Sequence, residues 1–137
     1  VAKVYQLMAD LDAFLAEKAA LPWAWGVVDC CMVPADWAIA NGYGDLMALE
    51  RGKYADEAGA QAVIVRRGGL FPIVSDGCAR AGLVQAEVPS RGVIAVIGSL
   101  LAPSRQWGAI WDGTRWLVRD ATGFTAVTAR PLAMWTI

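Results

Sequence analysis

The sequence predicts an α+β fold, with helices leading and a twisted antiparallel sheet following. Three observations carry this. The first half repeats apolar residues at spacings of three and four, as in Tyr5, Met8, Leu11, Leu15 and Ala19. Beyond Pro89 that period gives way to short β-branched and aromatic runs. Turn signals separate those runs, Asp112-Gly113 foremost among them.

The first helix keeps Asp10, Asp12, Glu17 and Lys18 off its apolar face and ends before Pro22. Trp23-Ala-Trp-Gly26 is an aromatic linker whose glycine is free to turn. A second helix is expected from Asp29 to Ala40, halted by Asn41-Gly42. Its Pro34 falls in or near the first turn, where proline costs least. A third helix runs from Asp56 to Arg67 and closes at Gly68-Gly69; a fourth runs from Leu70 to Arg80 and closes at Gly82. Strands are expected over Val93–Ile97, Trp107–Trp111 and Arg115–Val118, with two more over Phe124–Thr128 and Ala133–Ile137. The 137 residues form one domain, 1–137, large enough to hold a core without disulfides.

Composition narrows the function. A net charge of −1 argues against a nucleic-acid partner bound through its phosphates. Apolar residues make up 57% and charged residues 18%, so part of the surface is expected to lie against other protein copies or partners. The chain has no histidine, which excludes a Ser-His-Asp triad, a Cys-His pair and a His-ligated metal. Cys30, Cys31 and Cys78 are too few for a four-cysteine metal site and unlike a secreted disulfide framework. No metal or cofactor is therefore expected. The N-terminus lacks a signal-peptide pattern, and Val1 fits removal of an initiator methionine. The longest apolar stretch, Val93 to Pro103, is broken at Gly98-Ser99 and falls short of the roughly 18 residues of a membrane span. Arg67-Gly-Gly-Leu70 lacks phosphate-loop spacing, and the arginines, Arg66 and Arg119 among them, are expected in solvent or at an interface.

Asp29-Cys30-Cys31 is the segment with chemical promise. A cysteine at a helix N-terminus meets unpaired amides and the positive end of the dipole, both of which favour thiolate. Cys31 is expected to turn into the core, as is Cys78. The tryptophans offer either core packing or a stacking platform, with Trp23 and Trp25 in a loop beside a cleft.

Leu21-Pro-Trp-Ala-Trp-Gly-Val-Val-Asp-Cys-Cys31 resembles the nucleophile segment of NlpC-type cell-wall peptidases, in the short form encoded in tail gene clusters of long-tailed phages and gene transfer agents. Arg91-Gly-Val-Ile-Ala-Val96 resembles the family's Gly-Asp-x-Val strand, with Val93 where an acid is usual. Gln106-Trp-Gly-Ala-Ile-Trp-Asp-Gly113 resembles its His-x-Gly-Ile strand and following hairpin. The resemblance implies a papain-like fold, Cys30 in the nucleophile position, Gln106 in place of the general-base histidine, and Asp120 near the third, orienting residue. Glutamine cannot accept the proton. Moving it from a thiol to Asp120 is uphill by about 4.6 pKa units, or roughly 6 kcal/mol.

The resemblance thus implies a tail-tip component of a phage or phage-like particle, catalytically inactive, made in the host cytoplasm and resident in the virion. Its expected partners are other tail proteins and bacterial peptidoglycan. Two alternatives stay open. One is an active cysteine hydrolase of peptidoglycan using Cys30, a base other than histidine, and amides near the helix start as oxyanion donors. The other is a non-enzymatic wall or glycan binder using Trp23, Trp25 and Trp107.

Overall fold

The computed structural model describes residues 9–102 and 104–137; Tyr5 and Met8 of the expected first helix lie outside them. The described chain is α+β, with four helices and a six-stranded antiparallel sheet. Helix α1 spans Leu11–Ala20. It starts where the Asp10 carboxylate accepts the Ala13 N–H, and it stops at Leu21, which Pro22 holds extended. Leu11 and Phe14 form its buried face.

Helix α2, Met32–Ala40, carries almost only apolar residues and is the central helix, with Trp37 fully buried. Trp37 packs against Phe14 of α1 at 5.1 Å and donates its indole N–H to Gly92 O, tying the helix to the sheet entry. It starts three residues later than the sequence suggested, because Asp29 acts as a cap ahead of the helix rather than as its first residue.

Helices α3, Glu57–Arg67, and α4, Leu70–Ala81, end at left-handed Gly68 and Gly82. Asp56 caps α3 through Gly59 N. Gly77 of α4 is crossed by the 41–56 segment so closely that a Cβ there would lie 1.9 Å from Leu46 O. The same segment is fixed by charge, since Asp36 of α2 pairs with both Lys18 and Arg51, and Arg51 also pairs with Asp45. Arg51 holds the Asp45 carboxyl below its ordinary value.

The strands are β1 (Val84–Gln85), β2 (Ile94–Gly98), β3 (Gln106–Trp111), β4 (Trp116–Asp120), β5 (Gly123–Val127) and β6 (Pro131–Thr136), in the order β1-β6-β2-β3-β4-β5. β1 escaped the sequence reading because two exposed residues show no alternation. The Asp112-Gly113 hairpin is present, but its loop takes four residues. Trp111 pairs with Trp116, and the Asp112 carboxylate accepts from Thr114 N and Arg115 N.

β2 is buried on both faces. Ile94 and Val96, with Ile110 and Trp135, pack against the helices, while Ala95 and Ile97 join Val93, Ala109, Trp116 and Val118 in a second cluster on the other face. Part of the apolar excess that composition assigned to partner surfaces is therefore consumed inside the chain. Among the described residues, no helix is long and apolar enough to cross a membrane.

Candidate functional site

A cavity of about 410 Å³ opens between the Trp23–Asp29 turn, helices α3 and α4, and the ends of β3 and β4. Trp23, Trp25, Cys30, Gln106, Trp107 and Asp120, the six residues picked out from sequence, all line it. Cys30 is half-buried and Cys31 buried, with their sulfurs 3.7 Å apart. Trp23 and Trp25 meet edge to face at 5.0 Å, and Trp107 is exposed.

The segment bearing the cysteines is organised by Asp29, which is 2% exposed. One carboxylate oxygen accepts Cys31 N and Met32 N at 3.0 and 2.9 Å; the other accepts Gly26 N at 2.8 Å and the Tyr54 hydroxyl at 2.6 Å. This corrects the expectation of unpaired amides at the helix start. The first amides of α2 are already spent on a carboxylate, which also places negative charge beside the thiols. Gly26 serves the same turn: its φ is +77°, and a Cβ would lie 2.6 Å from Tyr54 O.

The Cys31 thiol is pushed well up from its ordinary value. The hydrogen bond with Cys30 is the largest cause, followed by burial and the charges of Cys30, Asp29 and Glu50. Burial, aided by Cys31 and Asp29, raises the Tyr54 phenol, so its hydroxyl remains a donor to Asp29. Cys78 is sealed inside α4, where burial raises its thiol to about 12.

Strand β3 approaches the cysteine segment through Gly108. A Cβ at that position would lie 2.3 Å from Cys30 O, so backbone meets backbone there. Two residues earlier, Gln106 is buried and clamped at both ends. Its Oε1 accepts Phe71 N at 2.8 Å and its Nε2 donates to Ser99 O at 2.8 Å. It thereby caps α4, whose own N-cap residue, Gly69, has no side chain to offer.

Asp120 does not reach Gln106. Its carboxylate accepts from Thr122 N and the hydroxyls of Thr122 and Thr125, and the Thr125 bond leads the causes that hold its pKa below the ordinary value. Burial, which pushes the other way and would make it a better base, is outweighed by these bonds.

Two further lining residues, Tyr54 and Glu50, carry no sequence signal, and a third, Arg119, departs from its expected place. Tyr54 completes the Asp29 cluster. Glu50 is 4% exposed and raised by burial; one of its oxygens meets Arg67 at 3.3 Å, and the other has no hydrogen-bond partner. Arg119, expected in solvent, is buried and donates to the carbonyls of Lys18 and Leu21 at the end of α1 and to that of Asp120. The wall thus carries Asp29, Glu50, Glu57 and Asp120 against one arginine. Among the described residues, no group of three or more side chains is arranged to hold a metal.

The sequence matches one family model over residues 3–137, that of a domain of unknown function, DUF6950, and the chain belongs to this family. No curated protein and no solved structure matches it.

Proposed function

We propose that the chain is a structural component of the tail tip of a phage or phage-like particle, built on a papain-like, NlpC-type fold whose hydrolytic machinery has lapsed. The observation that carries the loss of hydrolysis is the double clamp on Gln106. The amide at the general-base position cannot take a proton, and both its ends are committed, one to the start of α4 and the other to the Ser99 carbonyl. The tail-tip assignment rests on the sequence resemblance around Cys30 and Gln106, and a papain-like layout is supported by the approach of Gly108 to the Cys30 segment. Such a component would reside in the virion after synthesis in the host cytoplasm and contact other tail proteins.

The test joins two measurements. Particles purified through a high-salt wash are expected to retain the chain, and the isolated protein is expected to release no fragments from purified peptidoglycan. Absence from washed particles would refute the structural role.

Cys30 on the cavity wall favours a second reading, a peptidoglycan hydrolase. Its weakness is the base: the downward shift of Asp120 widens a gap already near 6 kcal/mol. Fragment release that disappears in Cys30→Ala would establish it. Binding to peptidoglycan without release, lost on replacing Trp23 or Trp25, would establish a glycan-binding module instead.

A further inference from the structure

The two adjacent thiols stand in different surroundings. Cys30 is half-buried on the wall of an open cavity, within reach of a small solute. Cys31 is buried beneath it, packed with the core around α2, and its sulfur lies 3.7 Å from that of Cys30. Both cysteines line the cavity, Cys30 the more exposed of the two, so a solute entering it meets Cys30 with the second sulfur in contact. Cys78 is sealed within α4 and does not compete.

We propose that Cys30 and Cys31 form a reversible oxidation site, at which a hydroperoxide oxidises Cys30 and Cys31 resolves the product as a vicinal disulfide. The inference does not depend on the tail-tip reading. In the first step the Cys30 sulfur attacks one peroxide oxygen; the S–O bond forms, the O–O bond breaks, and the thiol proton leaves with the other oxygen as water (or alcohol). Cys30 becomes a sulfenic acid. In the second, the Cys31 sulfur attacks the Cys30 sulfur; the S–S bond forms, the S–O bond breaks, and the Cys31 proton leaves with the hydroxyl as water. The peroxide supplies both oxidising equivalents.

Two consequences follow from geometry. A resolving thiol already in contact traps the sulfenic acid before a second peroxide can drive it to irreversible sulfinic acid. The Cα atoms of sequence neighbours are about 3.8 Å apart, shorter than the ~4.4–6.8 Å span of most disulfides. The ring is strained, and strained disulfides are readily reduced. Closing it also turns the peptide whose N–H Asp29 holds, so oxidation loosens the start of α2.

The test treats the reduced native chain with hydrogen peroxide, blocks free thiols, and reads tryptic peptides by mass spectrometry. Cys30 and Cys31 share the peptide between Lys18 and Arg51, apart from Cys78. That peptide is expected to lose two hydrogens in most molecules and to regain them with dithiothreitol. In Cys31→Ser, or Cys31→Ala should the serine variant not fold, Cys30 is expected to accumulate as sulfenic acid trapped by dimedone and then as sulfinic acid. The proposal is overturned if wild-type Cys30 gains oxygen without the two-hydrogen loss. It is equally overturned if disulfide-linked dimers form instead, or if both thiols survive peroxide unchanged.

Discussion

Removing the Asp29 carboxylate should carry a large cost in stability. The group is 2% exposed and accepts four hydrogen bonds, from Gly26 N, Cys31 N, Met32 N and the Tyr54 hydroxyl. Losing a helix cap alone costs about 0.5–2 kcal/mol. Each buried donor left without a partner costs about 1–3 kcal/mol, and the losses are not fully additive. Asp29→Ala should therefore lose about 4 kcal/mol of the roughly 5–15 kcal/mol that holds a domain of this size. Asp29→Asn keeps an oxygen for Cys31 N and Met32 N but turns an N–H₂ toward Gly26 N–H, a loss of about 2 kcal/mol. Tyr54→Phe removes one charge-assisted bond, about 1.5 kcal/mol. Urea unfolding followed by tryptophan fluorescence gives all three values. An Asp29→Ala variant within about 1 kcal/mol of wild type, or a Tyr54→Phe variant that loses more than Asp29→Ala, would refute this role for Asp29.

Gln106→Ala strands Phe71 N–H and Ser99 O and is expected to destabilise by about 2 kcal/mol, with faster amide exchange in the first turn of α4. Gly108→Ala drives a methyl into the Cys30 carbonyl; an expected loss of about 3 kcal/mol and faster alkylation of Cys30 would both report the displaced strand. Asp45, with its folded pKa lowered chiefly by Arg51, contributes stability above its ordinary 3.8 that disappears as pH falls through the lower folded value. Arg51→Leu should flatten that acid limb by about 1 kcal/mol or less, since both partners are partly in water. Glu50 has the opposite sign: burial raises its pKa, so its contribution is full below the ordinary 4.5 and lost as pH rises through the folded value. Glu50→Gln should raise stability at neutral pH by about 1 kcal/mol in calorimetry, and a clear loss there would show that the Arg67 pair outweighs burial.

Much of the helix pattern was legible because caps are local. Asp56, Gly68 and Gly82 each bound a helix within a residue or two of where their chemistry says they should, whereas Asp10, expected within the first helix, is its N-cap. Asp29 was misread for a reason equally local, since an acid two residues ahead of the N-cap looks the same in sequence as one inside the first turn. That Cys30 and Gln106, 76 positions apart, line one cavity could not come from periodicity; only the resemblance set them side by side as an expectation. Glu50 and Tyr54 lie in an irregular segment whose burial is decided by what packs over it. Arg119 did leave a signal. Alternation sets it on the same face of β4 as Leu117, which pairs with Ile110 of the helix-facing core.

The place of β6 in the sheet bears on how the chain reaches this state. Strands β2 to β5 are sequential antiparallel neighbours and can zip up through short-range pairings, whereas β6 must slot between β1 and β2 from far along the chain. Until it docks, Ile94–Ile97 presents a bare apolar edge that a neighbouring chain could capture. Late arrival of residues 131–136 thus makes the nascent protein vulnerable to aggregation, and holding β2 in a chaperone's grasp until then would raise the yield of soluble product.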